Sequence, residues 1–343
     1  VQIINPLEIS NWNDLILKHK NYSFFHTQEW ADVIAKSYGY EPLYFTIYSG
    51  TEILAVIPSF YIKSYLTGNR LVSLPFSDFC EPIFLSVNDA EEIKKFIIDF
   101  AKRQKLKYVE FRSSDTKFPF DVQKYRTDLR HILFLNKKED ELFKAFSENN
   151  RRNIKKASKS NVRVDVHNNT DGLNAFYDMF CITRKKHGLP PQPFSFFQNI
   201  FDIIIQPGLG DIILAEHDNK FIAGAVYFKV GEKVLYKYGA SYPEFNDLRG
   251  NNAVMWFAIK KYLNEKYEEF DFGKTEALHE GLRKFKLGWN TVEKFIFTTH
   301  FDLDKGEYLS VSTKTEGFHN KIFVNLPIQA LKLIGGLLYK HIG

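Results

Sequence analysis

The sequence predicts an α/β protein built from two related mixed sheets, and three observations carry that prediction. The order hairpin, strand, helix, strand occurs twice along the chain, closing on Tyr108-Val109-Glu110-Phe111-Arg112 in one half and Glu269-Phe270-Asp271-Phe272-Gly273 in the other. Repetition of this kind marks two copies of one supersecondary unit. The stretch Tyr236–Trp289 reads as strand, loop, helix, strand, loop and short basic helix. Such a crossover sets two strands parallel, whereas the hairpins supply antiparallel pairs, so each sheet is mixed and mainly antiparallel. Finally, 343 residues are long for one core, and two domains is the expectation.

Each element has its own local reason. Phe25–Tyr38 predicts a helix, with Thr27 placed to accept a first-turn amide. Leu43–Tyr48 and Ile53–Tyr61 are β-branched and aromatic runs around Ser49-Gly50-Thr51-Glu52, a hairpin pattern. Short strands follow at Leu71–Leu74 and Pro82–Leu85, a helix at Asp89–Gln104 with an acidic first turn, and strands at Tyr108–Arg112 and Arg130–Leu135. The composition changes over Lys137–Lys159, where an apolar helical stripe gives way to a basic run, and a domain boundary belongs there. Beyond it come a helical run at Leu173–Thr183, a second hairpin (Ile212–Glu216 with Phe221–Val230) and a strand at Val234–Gly239. Leu326–Ile342 is a last apolar helix, too short to span a bilayer, for which packing on a core is preferred to a membrane-surface role.

Bulk composition bounds the function. Net charge is +5 with a pI near 8.8, which suits an anionic ligand, a nucleic acid or an acidic membrane surface without choosing among them. Cys80 and Cys181 are far apart and in no metal-like spacing, as free thiols of a reducing compartment would be. Val1–Ser10 lacks the basic and apolar regions of a signal peptide, so the expectation is a cytoplasmic protein. A nucleophile elbow, a P-loop, a metal-ligand cluster and a dinucleotide fingerprint are all missing, and His187, His217 and His279 read as isolated surface or loop histidines.

Several motifs admit two readings. Arg152, Lys155, Lys156 and Lys159 are at near-helical spacing: a solvated face, or contacts to substrate phosphates. The amides that open the helix at Asn251 and Asn252 can take a phosphate or another anion. Arg283, Lys284 and Lys286 cannot all face one way on a short helix, so at least one points inward. A cleft lysine there would stabilise an oxyanion while contributing little to packing. Tyr236 and Tyr238 share one face of their strand, as alternate residues do, and bracket a ligand or pack a helix. Arg184 precedes the rigid Gly188-Leu189-Pro190-Pro191 segment and either faces an opening or makes a structural ion pair.

Taken together, Asn150-Arg151-Arg152-Asn153-Ile154-Lys155-Lys156-Ala157, Tyr238-Gly239-Ala240-Ser241, Phe270-Asp271-Phe272-Gly273 and Gly281-Leu282-Arg283-Lys284-Phe285-Lys286 resemble the FemAB-type transferases of the GNAT acyltransferase fold. The likeness is strongest over Asn149–Thr298, with Phe-His-Thr-Gln-Glu-Trp at Phe25–Trp30 matching in the first half. The resemblance implies two GNAT-like domains without a coiled-coil arm, one of residues 1–138 plus a returning helix at 318–343, the other of residues 139–317. It also implies transfer of an aminoacyl or acyl group to an amine of a cell-envelope, peptidoglycan-precursor-like acceptor. On that basis Lys286 is the lysine supporting reaction at the ester and Phe285 its aromatic neighbour. Lys36, Arg184 and one of Tyr236 and Tyr238 fall near the acceptor's phosphates, and Arg152 and Lys155 join the substrate contacts. No metal or resident cofactor is implied, and the donor is either aminoacyl-tRNA, met at its 3′ end, or acyl-CoA. The implied place of action is cytoplasmic, at the inner face of the membrane through a peripheral contact. The pattern departs from a strict GNAT pyrophosphate loop at Arg249-Gly250-Asn251-Asn252-Ala253, which carries one glycine.

Three readings follow: a FemAB-like transferase, an acyl-CoA-dependent GNAT N-acyltransferase, and a non-catalytic module for nucleotide-linked ligands or RNA. An amine nucleophile needs only deprotonation, alignment and oxyanion stabilisation, which is consistent with the missing triad.

Overall fold

A computed structural model describes residues 1–113, 125–309 and 318–343. The described residues divide into two units, one drawn from Val1–Leu129, Phe295–Thr315 and Leu337–Gly343, the other from Arg130–Lys294 and Glu316–Gly336. The boundary expected between 317 and 318 falls at the edge of residues outside those described.

In the first unit, helix Gln28–Tyr38 starts where Thr27 accepts the Trp30 amide and stops at Gly39, whose φ of 69° ends it in the left-handed region. The hairpin pairs Tyr44–Ser49 with Glu52–Ile57. The run read as one strand to Tyr61 breaks at Pro58, which has no N–H to give a ladder. Beyond the break, Phe60–Ile62 joins another sheet, antiparallel to Arg70–Val72. Helix Val87–Arg103 opens on a capping box between Ser86 and Asp89 and buries Ala90, Ile93, Ile97 and Ala101. Ile93, Ile97 and Ala101 pack with Phe45, Leu71, Val109 and Phe111. The helix is also a crossover, since Arg70–Val72 lies parallel to Tyr108–Glu110. Residues 297–302 then add an antiparallel neighbour to 108–113. Arg70, fully buried, donates to the His341 and Gly343 carbonyls that end the last helix.

The second unit repeats the plan at larger scale. Its sheet runs Arg163–Val166, Gly210–His217, Lys220–Val230, Lys233–Ser241, Glu269–Glu276, antiparallel until the final, parallel pair. Helix Gly250–Asn264 is the crossover between the parallel strands. It buries Val254, Met255, Ala258, Ile259 and Tyr262 in a core with Ile213, Ala225, Phe270, Phe272 and Trp289. On the other face, helix Thr170–Lys186 and a helix at Phe194–Ile200 enclose an aromatic cluster of Phe176, Phe180, Phe197 and Tyr238. The Phe194–Ile200 helix went unread in sequence, although Ser195, Gln198 and Asn199 give it a polar face at i, i+3 and i+4. Helix Ile328–Ile342 packs through Gly335, where a Cβ would stand 2.0 Å from the Pro191 carbonyl oxygen. In the first unit its last turns accept the Tyr40 hydroxyl at the Tyr339 carbonyl, 3.0 Å away. Among the described residues no helix is long and apolar enough to cross a membrane, and both cysteines are buried and free.

One half-buried carboxylate in the first unit gives a test of this architecture. Glu110 lies 2.6 Å from both the Arg112 guanidinium and His300 Nε2. Burial pushes its carboxyl up, but the Arg112 charge and the His300 bond outweigh it and hold the group well below its ordinary 4.5. A carboxyl depressed in the folded state adds stability above its unfolded value, and that stability is lost as pH falls toward the folded one. Denaturant unfolding from pH 7 to pH 3 is expected to show stability falling below about pH 4.5. Glu110→Gln should be less stable at pH 7, by as much as about 3 kcal/mol, and show a shallower fall. An unchanged pH profile in the variant would contradict the assignment.

Candidate active site

The site begins where a strand pair stops. Lys233, Val234 and Leu235 pair in parallel with Glu269, Phe270 and Asp271, and beyond these three pairs the strands share no further register. Two local features part them. On one strand, Tyr227 pairs with Tyr236 and Val226 with Tyr238, so Lys237 is an extra residue in a β-bulge. On the other, Gly273 has φ of 67°, a conformation that favours glycine. The Asp271 carboxylate accepts the Gly273 amide at 2.7 Å and pairs with buried Arg130.

A cavity of about 690 Å³ lies along the parted strand. Strand residues Gly239, Ala240 and Ser241 line it, with Ala225 and Tyr227 from the neighbouring strand and Tyr236 between them. Asn251, Val254 and Met255 of helix Gly250–Asn264 form another wall. Helix Thr170–Lys186 and its cap contribute Thr183, Lys186 and His187, three residues at i, i+3 and i+4 on one face. His279, Gly281, Leu282 and Phe285 also line it. The rim is tied together by polar contacts: the Ser241 amide donates to Thr183 Oγ1 at 3.2 Å, and Asn251 Nδ2 donates to Ser241 Oγ at 3.1 Å. His279 Nδ1 accepts the Leu282 amide at 3.2 Å, which leaves Nε2 as the protonated nitrogen of the neutral ring. Gly239 leaves room for a neighbour, since a Cβ there would meet the Tyr236 hydroxyl at 1.8 Å. Burial pushes that hydroxyl up to about 12, so it is a neutral donor at physiological pH.

The residues singled out in sequence divide among several places. Phe285, Tyr236 and Asn251 meet at this cavity, and Phe285 also packs edge-on to Trp289. Tyr236 and Tyr238 do not share a face. The bulge at Lys237 shifts the alternation by one, so Tyr236 packs on Tyr227 while Tyr238 turns to Phe180 and Phe197. Asn252 is buried, 3.4 Å from Asn150 Oδ1, and holds helix to helix. Arg184 lies between the cavity-facing positions of its helix and donates to the Pro190 carbonyl at 3.4 Å. Arg152 is exposed and bonded to Asn149. Lys155 lines a separate groove of about 540 Å³ with Lys159, Lys260 and Trp256. Lys36 belongs to the first unit, where it is 58% exposed and pairs with Asp32. His187 and His279, read as surface or loop histidines, are exposed at a helix C-cap and a helix N-cap, and both also line the cavity.

Lys286 is the inward-pointing cation of its helix, while Arg283 pairs with Glu293 and Lys284 is exposed. It is not the lightly packed cleft lysine expected, being only 2% exposed. Its ammonium donates to the Gly273 carbonyl at 3.0 Å and the Lys274 carbonyl at 2.9 Å, clamping the kinked strand to helix Glu280–Leu287. His131 lies nearby, held below its ordinary value by burial and then by the Lys286 charge, with Nε2 3.2 Å from Glu293. Among the described residues no group of three or more His, Cys, Asp or Glu is placed to hold a metal ion.

This chain is similar to several known proteins. The acetyltransferase (GNAT) domain family matches residues 144–287, a span that includes the parted strands, the crossover helix and Lys286. The lipid II:glycine glycyltransferase of Staphylococcus aureus is 22% identical over 55% of this chain and 62% of its own length. This chain therefore spans less than two thirds of those curated relatives. Among solved structures, FemX is similar with a TM-score of 0.68 and 18% identity, covering 87% of this chain and 97% of its own. L-PGS from Bacillus licheniformis is similar with a TM-score of 0.55 and 13% identity, covering 98% and 99%. The structural likenesses show the fold, and with the sequence relative and the matched domain they make this chain similar to the FemAB-type proteins of the GNAT fold.

Proposed function

We propose that the protein is a transferase that moves an aminoacyl or acyl group onto an amine of a cell-envelope precursor resembling lipid II. The observation that carries this reading is the cavity at the parted strands, walled by Tyr236, Asn251 and Phe285 within the span that matches the GNAT family. The glycyltransferase relative supports the substrate class. Chemically, the acceptor amine attacks the donor's ester carbonyl, a C–N bond forms, the C–O bond breaks, and the amine's proton passes to the leaving oxygen. Neutral hydroxyl and amide donors around the carbonyl suit the charge that develops there. Lys36 and Arg184 remain proposed contacts for the acceptor, and a peripheral membrane contact remains a proposal with them.

An aminoacyl-tRNA 3′ end is the proposed donor, in preference to acyl-CoA. A CoA pyrophosphate needs consecutive free amides, yet the Asn252 and Ala253 amides both go to the Arg249 carbonyl, at 3.0 and 3.2 Å. Gly250 does not serve phosphate approach either, because a Cβ there would meet Ala223 at 2.9 Å, so its smallness serves helix–sheet packing. Purified protein supplied with aminoacyl-tRNA and a muropeptide-type acceptor should turn over. Failure with every aminoacyl and acyl donor would favour a binding module instead.

Two further outcomes are expected. Calorimetry should find acetyl-CoA binding weak or absent, while aminoacyl-tRNA mimics bind with affinity that falls steeply with added salt, as phosphate-dominated contacts do. Tight, salt-insensitive acetyl-CoA binding would reverse the preference. Lys286→Met should lower turnover on the order of 10²–10³-fold. It should also lower Tm, since two buried carbonyls lose their donor at roughly 1–3 kcal/mol each. A variant with full turnover and wild-type Tm would remove Lys286 from both roles.

A further inference from the structure

Tyr227 is a buried polar residue that the fold does not use. It stands on strand Lys220–Val230 opposite Tyr236, fully buried, and lines the cavity. Its ring packs against Tyr236 and Tyr262 at 5.6 Å and Phe270 at 5.8 Å, contacts that a phenylalanine would make equally well. The hydroxyl is what distinguishes it, and among the described residues that hydroxyl has no hydrogen-bond partner. Neighbouring Tyr262 differs in this respect, since its hydroxyl donates to Asp211 at 2.9 Å. A buried hydroxyl left unpaired destabilises a fold relative to the matching hydrocarbon. In a chain with 33 Phe, a tyrosine held there without a partner is explained by an acceptor that arrives with the ligand.

We propose that the Tyr227 hydroxyl is a catalytic donor to the carbonyl oxygen of the acyl group undergoing transfer, an inference that rests on the transferase reading. As the acceptor nitrogen bonds to the carbonyl carbon, the carbonyl π electrons move onto oxygen, and Tyr227 donates a hydrogen bond to that oxygen without losing its proton. When the C–O ester bond breaks, the electrons return and the leaving oxygen takes the proton released by the amine. Burial first, and Tyr236 second, push the Tyr227 hydroxyl well above its ordinary 10, so it stays protonated throughout. A preorganised donor stabilises developing charge without reorganising solvent.

Tyr227→Phe separates this role from a structural one. The variant is expected to keep or raise the Tm of the ligand-free protein, because it removes an unpaired buried hydroxyl. Its kcat should fall on the order of 10²–10³-fold with the acceptor KM little changed. A second readout uses 3′-aminoacylamino-3′-deoxyadenosine, whose amide retains the carbonyl without reacting; it should raise the Tm of wild type more than that of the variant. Unchanged turnover in an active protein, or a sharp loss of ligand-free Tm, overturns the proposal. If wild type is inactive with every donor, the transferase reading fails and the analogue decides alone. Selective stabilisation of wild type then supports Tyr227 as a carbonyl donor, whereas equal or absent stabilisation overturns it.

Discussion

Two parallel strands that cease to pair after three residues expose backbone groups that must be satisfied some other way, and the second unit is organised around that requirement. The Gly273 amide goes to Asp271, whose other oxygen is held by Arg130. The Gly273 and Lys274 carbonyls go to the ammonium of Lys286. Side chains thus take over the ladder's work at Gly273 and Lys274 of the kinked strand.

That arrangement gives Lys286 a double character. A fully buried ammonium is tolerated only with close acceptors, and two carbonyls meet that need. The same contacts fix helix Glu280–Leu287, on which the adjacent Phe285 reaches the cavity while Lys286 turns beneath it. Any chemistry assigned to this lysine is therefore inseparable from its clamping of the site.

The aromatic richness of the chain also acquires meaning at particular positions. Phenylalanines serve packing in the cluster between helices Thr170–Lys186 and Phe194–Ile200. Tyr236 on the parted strand and Tyr227 on its neighbour supply polar atoms instead. Tyr236 presents a neutral hydroxyl over Gly239, and Tyr227 buries one against the cavity. Small residues matter as much: Gly239 and Ala240 leave the volume that larger side chains would fill.

Much of the fold was legible in the sequence because it is written in short-range patterns. The hairpins, the crossover helix, the Thr27 cap and the inward turn of one cation on the Gly281 helix all follow from periodicity and local hydrogen bonding. The family resemblance likewise rested on residues adjacent in sequence. Tertiary structure alone decided what depends on register and on distant partners. One bulged residue, Lys237, places Tyr236 and Tyr238 on opposite faces, and no alternation rule reveals a bulge. Burial of Lys286 depends on carbonyls 12 and 13 residues away, so composition could place it near an edge but not beneath the surface. His187 and His279 enter the cavity only when a helix cap and a loop converge on the parted strands. The vacant hydrogen bond of Tyr227 has no sequence signal at all, because the absence of a partner is a property of the packed surroundings.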